Sequence, residues 1–155
     1  MFYFLDFEGY KYGGESFVVK ELAILSSDWS QCFTYFIKSP NNVYPSWDST
    51  LAYQFNRHKL GWNIGDFHFR DAIARVKEMT IGCLIYVKGD EKQRFLEMYF
   101  NHVEQLNMLP SIKTLSSCRG EECENQHGKY CARRKVHEFK KFLDDNQIKL
   151  SSQIS

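Results

Sequence analysis

The chain has 155 residues, which is enough for one domain with a substantial hydrophobic core. Its formal net charge of +1 excludes a strongly basic or acidic tail, whereas a local basic patch for nucleic acid is compatible with it. No apolar run has the length of a membrane span, and the N-terminus lacks the basic and long apolar regions of a signal peptide. We therefore expect a protein of the cytoplasm or nucleus that makes no membrane contact.

The first third of the sequence predicts three β-strands. Met1 to Phe7 is almost wholly apolar, as is typical of a central strand buried on both faces, and the glycines within 9–14 predict a turn after it. Phe17 to Leu25 and Cys32 to Ile37 are rich in β-branched, aliphatic and aromatic residues. The connections are too short for parallel crossovers, so the three strands should be antiparallel neighbours.

Helical and strand patterns alternate in the rest of the chain. Apolar residues recur at helical spacing in three places, and a continuous apolar run is typical of a buried strand. In chain order we expect a helix over 49–60, a helix over 69–76, a strand over 81–87, a helix N-capped by Asp90 that extends to Val103, a strand near 108–112 and a helix over 132–143.

Three antiparallel strands followed by helix-linked strands predict an α/β fold. The expected architecture is RNase H-like, with a mixed sheet flanked by helices, and another mixed α/β sandwich is the alternative. No repeat or low-complexity linker divides the chain, so 1–146 should form a single domain. Residues 147–155 are polar and should form a frayed tail.

Two carboxylates lie at the end of the first predicted strand. Asp6 and Glu8 are two residues apart, so both side chains point to the same face. Nucleases use such pairs to hold two divalent cations, magnesium or manganese, around a phosphate. Asp90 is the third candidate carboxylate and is equally suited to a role as a helix N-cap. Lys88 and Lys92 flank it, where they would suit a phosphate but would compete with a cation.

The carboxylate set is incomplete. An exonuclease of this type places a further aspartate near the start of its last helix, and Cys131 occupies that place here. Two readings therefore stay open, namely a metal-dependent 3′–5′ exonuclease or single-strand RNase and a domain without catalysis.

Three thiols and an imidazole crowd into a polar loop before the last helix. Cys118, Cys123, His127 and Cys131 are of the residue types that zinc prefers in closed structural sites. A metal bound here would order a long loop and fix the last helix to the sheet. All four ligands could come from the loop, or a carboxylate such as Glu21 could replace one cysteine. Unrelated thiols and a Cys–His nucleophilic dyad are the alternatives.

Two other cysteines and one histidine have simpler interpretations. Cys32 and Cys83 lie in apolar strand-like runs and are expected to be small buried hydrophobic residues. His137 lies further along the last helix and is expected to face solvent.

A run of basic residues lies beside the Cys/His cluster. These side chains either contact phosphate or form a solvated helix face. The run consists of Arg119, Lys129, Arg133, Arg134 and Lys135.

Three segments together resemble the Maelstrom domain, a diverged relative of the DEDD exonucleases with an RNase H-like fold. Val18 to Ile24 is similar to that family's second strand, and Ile85 to Arg94 is similar to its strand-to-helix turn. Cys123 to His127, followed by Cys131 and Ala132, resembles its Cys–His–Cys-Ala segment.

The resemblance implies both a metal site and a biological role. The family's zinc shell is a Glu-Cys-His-Cys set, which implies Glu21, Cys123, His127 and Cys131 here, with Cys118 as an alternative ligand. The family's association with small-RNA (piRNA) silencing of transposons implies RNA or a silencing-pathway protein as the partner.

These observations lead to one expected function and two alternatives. The expected function is a zinc-stabilised, degenerate exonuclease-like domain that binds RNA or a silencing-pathway protein. The first alternative is an active exonuclease, because Asp6 and Glu8 keep an acidic pair that Maelstrom domains often lose. The second alternative is a protein-interaction module, because aromatic residues make up 16% of the chain and exposed rings could dock a partner.

Overall fold

The structure is a computed structural model, and it describes residues 1–12, 16–40, 49–107 and 131–154. Strands and helices follow each other in the order βββααβαβα. Their bounds are β1 Phe2–Tyr12, β2 Ser16–Ser26, β3 Cys32–Phe36, α1 Ser49–His58, α2 Phe69–Met79, β4 Leu84–Val87, α3 Asp90–Glu97, β5 Val103–Gln105 and α4 Ala132–Asp145.

The five strands form one mixed sheet in the order β3-β2-β1-β4-β5. The strands β1, β2 and β3 are antiparallel neighbours, as the short connections predict. The strand β4 pairs with β1 in parallel, and β5 pairs with β4 in parallel. The predicted α/β fold, with a mixed sheet flanked by helices, is therefore confirmed at this level.

The central strand β1 is buried on both faces, as its apolar sequence predicts. Alternate side chains of a strand point to opposite faces. Leu5 and Phe7 pack in a core that includes residues of α2 and α3, whereas Phe4 packs in a second core with residues of α4. Asp6 and Glu8 have the same parity as Phe4, so they belong to the face that α4 covers.

The strand β1 is longer than predicted, because Gly9 is a bulge position and not a turn. The register shifts between Glu8 and Gly9, which leaves Lys20 as the extra residue on β2. A β-carbon at Gly9 would overlap the carbonyl oxygen of Val18. Glycine thus permits the close approach of the β1 and β2 backbones at this position, and β1 continues to Tyr12.

The bulge residue Lys20 is fully buried and is held by three oxygens. Its Nζ donates hydrogen bonds to the Trp62 carbonyl at 2.8 Å, the Ile64 carbonyl at 2.6 Å and the Ser39 hydroxyl at 3.0 Å. Burial lowers the pKa of Lys20 to about 8. These contacts fix the segment after α1 against β2, which is a structural role.

The fourth strand begins later than predicted. The apolar run starts at Ile81, but Gly82 has a φ of 72° and the N–H of Cys83 donates to the carbonyl of Thr80 at 2.9 Å. These contacts form a turn after α2, so the strand begins at Leu84.

Two boundaries of α3 also differ from the prediction. Gly89, with a φ of 105°, is the N-cap, and Asp90 is the first residue of the helix. The helix ends at Glu97, and Val103 lies in β5. The prediction of one helix from Asp90 to Val103 was wrong because apolar spacing alone did not separate a helix from the short strand after it. The strand expected near 108–112 lies outside the described residues.

The segment after α4, for which the sequence predicts a frayed tail, contacts the core. Ile148 and Leu150 pack against the α4 face of the sheet. The hydroxyl of Tyr86 donates to the carbonyl of Ser151 at 2.7 Å. Among the described residues, no helix combines the length and the apolar character needed to cross a bilayer.

Candidate functional site

A cleft of about 1230 Å³ lies at the carboxyl end of the parallel strands. The far half of β1 lines it from Phe7 to Lys11, and Lys88 to Lys92 line it after β4. Gln105 to Asn107 line it at the end of β5. Ligands of open α/β sheets bind outside the carboxyl ends of the strands, so this cleft is the candidate site.

The acidic pair, of which Glu8 lines this cleft and Asp6 lies buried behind it, is contacted by two lysines. Lys92 Nζ lies 2.7 Å from Asp6 Oδ1 and 3.3 Å from Glu8 Oε1. Lys135 Nζ lies 3.6 Å from Asp6 Oδ2 and forms an ion pair with Glu8 Oε1. Each carboxylate therefore contacts both ammonium groups, and the formal charges of the four side chains cancel. We call Asp6, Glu8, Lys92 and Lys135 the charge cluster.

The two lysines lie where a positive charge is unfavourable unless a carboxylate compensates it. Lys92 and Lys135 both lie in the first turn of a helix, where the helix dipole opposes a positive charge. The side chain of Lys135 is 2% exposed. Burial lowers the pKa of Lys135, and the Asp6 carboxylate partly offsets that shift. The acidic pair thus stabilises cations that the helix ends and the interior would otherwise disfavour.

This arrangement does not fit two divalent cations. Magnesium and manganese would need the carboxylate oxygens as hard ligands, and three of the four Asp6 and Glu8 contacts to ammonium nitrogen are 3.3 Å or shorter. The fourth contact is the longer one and involves Asp6 Oδ2. This oxygen is buried and makes no hydrogen bond to the described residues. Its nearest cationic contact is Lys135, at 3.6 Å.

Asp90 lines the same cleft, but its contact is different. Its side chain is exposed and accepts a hydrogen bond from the amide of Gln105. Gln105 also donates to Gln93 at 2.7 Å. Asp90 therefore lies in the same cleft as Glu8, but its carboxylate contacts the side-chain amide of Gln105.

Basic residues outnumber acidic residues around the cleft. Among the described residues, six lysine or arginine side chains line it against three carboxylates. Lys11 pairs with the exposed Glu91 at 2.6 Å, and Lys92 and Lys135 belong to the charge cluster, so the remaining side chains still carry a cationic excess. The basic residues are Lys11, Arg57, Lys88, Lys92, Arg94 and Lys135, and the acidic residues are Glu8, Asp90 and Glu91.

A second cluster joins β2 to the N-terminus of α4. Glu21 is fully buried, and its Oε1 accepts a hydrogen bond from the N–H of Ala132 at 2.6 Å. The Sγ of Cys131, also fully buried, lies 3.8 Å from Glu21 Oε2 and caps the helix by accepting the N–H of Arg134 at 3.4 Å. Glu21 is also the cross-strand partner of Glu8, so the two clusters are neighbours.

Glu21 and Cys131, two of the four residues expected to hold zinc, contact each other. The other expected ligands, Cys123 and His127, and the alternative ligand Cys118 lie outside the described residues. Within the described part of the chain, no three His, Cys, Asp or Glu residues form a group that could hold a metal ion.

The predicted basic run is divided by the structure. Arg119 and Lys129 lie outside the described residues. Arg133 and Arg134 are half-buried, and Arg134 lies 3.8 Å from Glu138 one turn along α4. Lys135 points inward to the acidic pair. The sequence carried a signal for Lys92, which flanks Asp90, but none that distinguished Lys135 from its basic neighbours.

Cys32 and His137 contact each other. Cys32 Sγ lies 3.3 Å from His137 Nε2, and the Trp29 ring packs on His137 with a centroid distance of 5.5 Å. Burial raises the pKa of the Cys32 thiol, and Arg133 partly offsets that shift. His137, which the sequence predicts to face solvent, is half-buried, because α4 packs on β1 and β2 and brings this ring to Cys32 at the start of β3. Cys83, like Cys32, is half-buried and packs against a core.

The segments that resemble Maelstrom domains are only partly described. Val18 to Ile24 lies in β2, and Ile85 to Arg94 runs from β4 into α3. Cys123 to His127 lies outside the described residues. Comparison of the chain with protein-family models, with curated proteins and with solved structures found no significant match in any of the three.

Proposed function

We propose that this chain is a degenerate, RNase H-like exonuclease domain that binds RNA without hydrolysing it and is stabilised by zinc. The observation that carries the proposal is the charge cluster, in which two ammonium groups contact the carboxylates that a nuclease would use for metal. A cleft with neutralised carboxylates and a cationic excess suits a polyanion better than a pair of cations.

The sheet topology supports the RNase H-like assignment. The strand order β3-β2-β1-β4-β5 has three antiparallel strands followed by two parallel additions, as the sequence predicts for that fold. Asp6 and Glu8 lie on the central strand, and Glu8 lines the cleft, which is where an ancestral metal site would lie.

The cleft offers both phosphate and base contacts to RNA. Lys88 and Arg94 line it, and Arg94 is exposed. The rings of Phe17 and Phe95 also line it, with their centroids 5.6 Å apart. Cationic side chains beside aromatic rings are the usual means of binding a single strand with little sequence preference.

Replacing Lys88 and Arg94 together with glutamate tests this cleft. We expect the affinity for a single-stranded RNA to fall roughly tenfold or more and its salt dependence to weaken, because two phosphate contacts are lost. Fluorescence anisotropy over a range of salt concentrations measures both effects. Lys141→Glu, on the exposed side of α4, is the matched control and should bind nearly as well as wild type.

Equal loss of affinity in Lys141→Glu would contradict the assignment to the cleft. Absence of RNA binding by the wild-type protein would favour a protein partner, such as a silencing factor. In magnesium and manganese we expect no RNA degradation. Degradation that Asp6→Asn abolishes would establish an active exonuclease or RNase that uses Asp6, Glu8 and Asp90.

The zinc component of the proposal has its own test. We expect one zinc ion per purified chain and its loss in both Glu21→Gln and Cys131→Ser, because each variant removes one expected ligand. Metal analysis by mass spectrometry measures the content. Cys83→Ser is the matched control, since Cys83 lies on the other side of the sheet and should leave zinc bound. Full zinc content in Glu21→Gln and Cys131→Ser would exclude this ligand set.

A further inference from the structure

The geometry of the charge cluster carries an inference about metal ions. Two carboxylates two residues apart on a strand would repel each other and attract a divalent cation. Here two lysines of the same chain compensate the negative charge, because Lys92 and Lys135 each contact both Asp6 and Glu8. A lysine ammonium is a compact, strongly hydrated point charge, so it is the side chain that most resembles a small cation.

We propose that Lys92 and Lys135 are internal replacements for divalent cations, and that removing the charge of Lys92 alone opens a manganese site on Asp6 and Glu8. The inference concerns the same cleft as the proposed function and deepens it, since it explains why that cleft would bind RNA without hydrolysis. Its basis is the ion-pair geometry, and it does not require that RNA binds.

Lys92 is the lysine that can be removed with least damage. Its side chain is 22% exposed and lines the cleft, whereas that of Lys135 is 2% exposed and lies in the interior. Loss of Lys92 takes the contacts at 2.7 Å and 3.3 Å from the two carboxylates and opens them towards solvent in the cleft. Water from the cleft can then complete the coordination of a manganese ion.

The Asp6 carboxylate is suited to receive that ion. It is fully buried, and loss of Lys92 frees its Oδ1. Its Oδ2 makes no hydrogen bond to any described residue and lies 3.6 Å from Lys135. A buried carboxylate oxygen with unused acceptor capacity gains from a hard cation nearby. In the Lys92 variant, Asp6 and Glu8 would keep a net negative charge against the single ammonium of Lys135.

The experiment compares manganese binding by four proteins. Titration calorimetry and the electron paramagnetic resonance signal of free manganese measure affinity in wild type, Lys92→Met, Lys92→Arg and the double variant Asp6→Asn with Lys92→Met. We expect at least roughly tenfold tighter binding by Lys92→Met than by wild type, because a positive charge beside the ion is lost. Lys92→Arg keeps the charge and should resemble wild type. The double variant should lose the gain.

Two results would overturn the inference. One is wild-type affinity for manganese as high as that of Lys92→Met, and the other is no gain in Lys92→Met. Circular dichroism verifies folding. As a fifth protein, Lys92→Gln keeps a polar side chain at this partly buried position and provides a second neutral variant with the same expected gain. RNA affinity of the wild type, measured without divalent ions, is scored separately, so its absence would contradict the proposed function and leave the manganese result intact.

Discussion

Lys135→Met is expected to lower the free energy of unfolding by about 1–3 kcal/mol, because it removes the ammonium group that pairs with Glu8 and leaves Lys92 as the cationic contact of the buried Asp6 carboxylate. Methionine has nearly the helix propensity of lysine, so the loss should come from the charge cluster and not from α4 itself. Urea denaturation, with the midpoint and slope fitted separately, measures the change. A loss below about 1 kcal/mol would contradict the structural importance of this ion pair.

Two comparisons separate the ion pair from the helix. Lys141→Met makes the same substitution on the exposed side of α4 and should stay within about 0.5 kcal/mol of wild type. Asp6→Asn combined with Lys135→Met should cost less than the sum of the two single changes, because both single changes remove the same Asp6–Lys135 contact.

Gly9→Ala is expected to destabilise the protein by about 3 kcal/mol or more, since the added β-carbon would overlap the backbone of Val18 and separate β1 from β2 at the bulge. The overlapping atom belongs to a paired strand, so it cannot move aside as a flexible side chain can. Thermal and urea unfolding both report the loss.

Gly82→Ala is the control for this change. Gly82 has a φ of 72° and open space around it, so alanine there should cost about 1–2 kcal/mol from backbone strain alone. An equal effect of the two substitutions would mean that the bulge does not require the close approach seen between Gly9 and Val18.

The strands β1 to β4 were predictable because their apolar character is local, whereas β5 was predicted as part of a helix. The sequences of β1 and β2 indicate burial without reference to the rest of the chain, and short connections limit β1 to β3 to antiparallel pairing. The positions of Gly9 and Gly82 were harder to interpret. Glycine marks a turn at Gly82 and a strand bulge at Gly9, and only the approach of a second strand distinguishes the two cases.

The candidate site was predictable only in part because its contacts are long-range. The spacing of Asp6 and Glu8 indicates a shared face, but Lys92 is 86 residues from Asp6 and Lys135 is 127 residues from Glu8. No local pattern predicts which of several lysines closes such a contact. The contact of Cys32 with His137 was unpredictable for the same reason, since it depends on how α4 packs on the sheet.

The first turn of α4 joins two centres of opposite character. Cys131, at its start, lies beside Glu21, and Lys135, one turn later, lies beside Glu8, while Glu8 and Glu21 are paired across adjacent strands. A shift of this single turn would alter both sets of distances at once. The two centres should therefore be coupled mechanically, so a substitution that moves Lys135 outward should also lengthen the contact between Cys131 and Glu21.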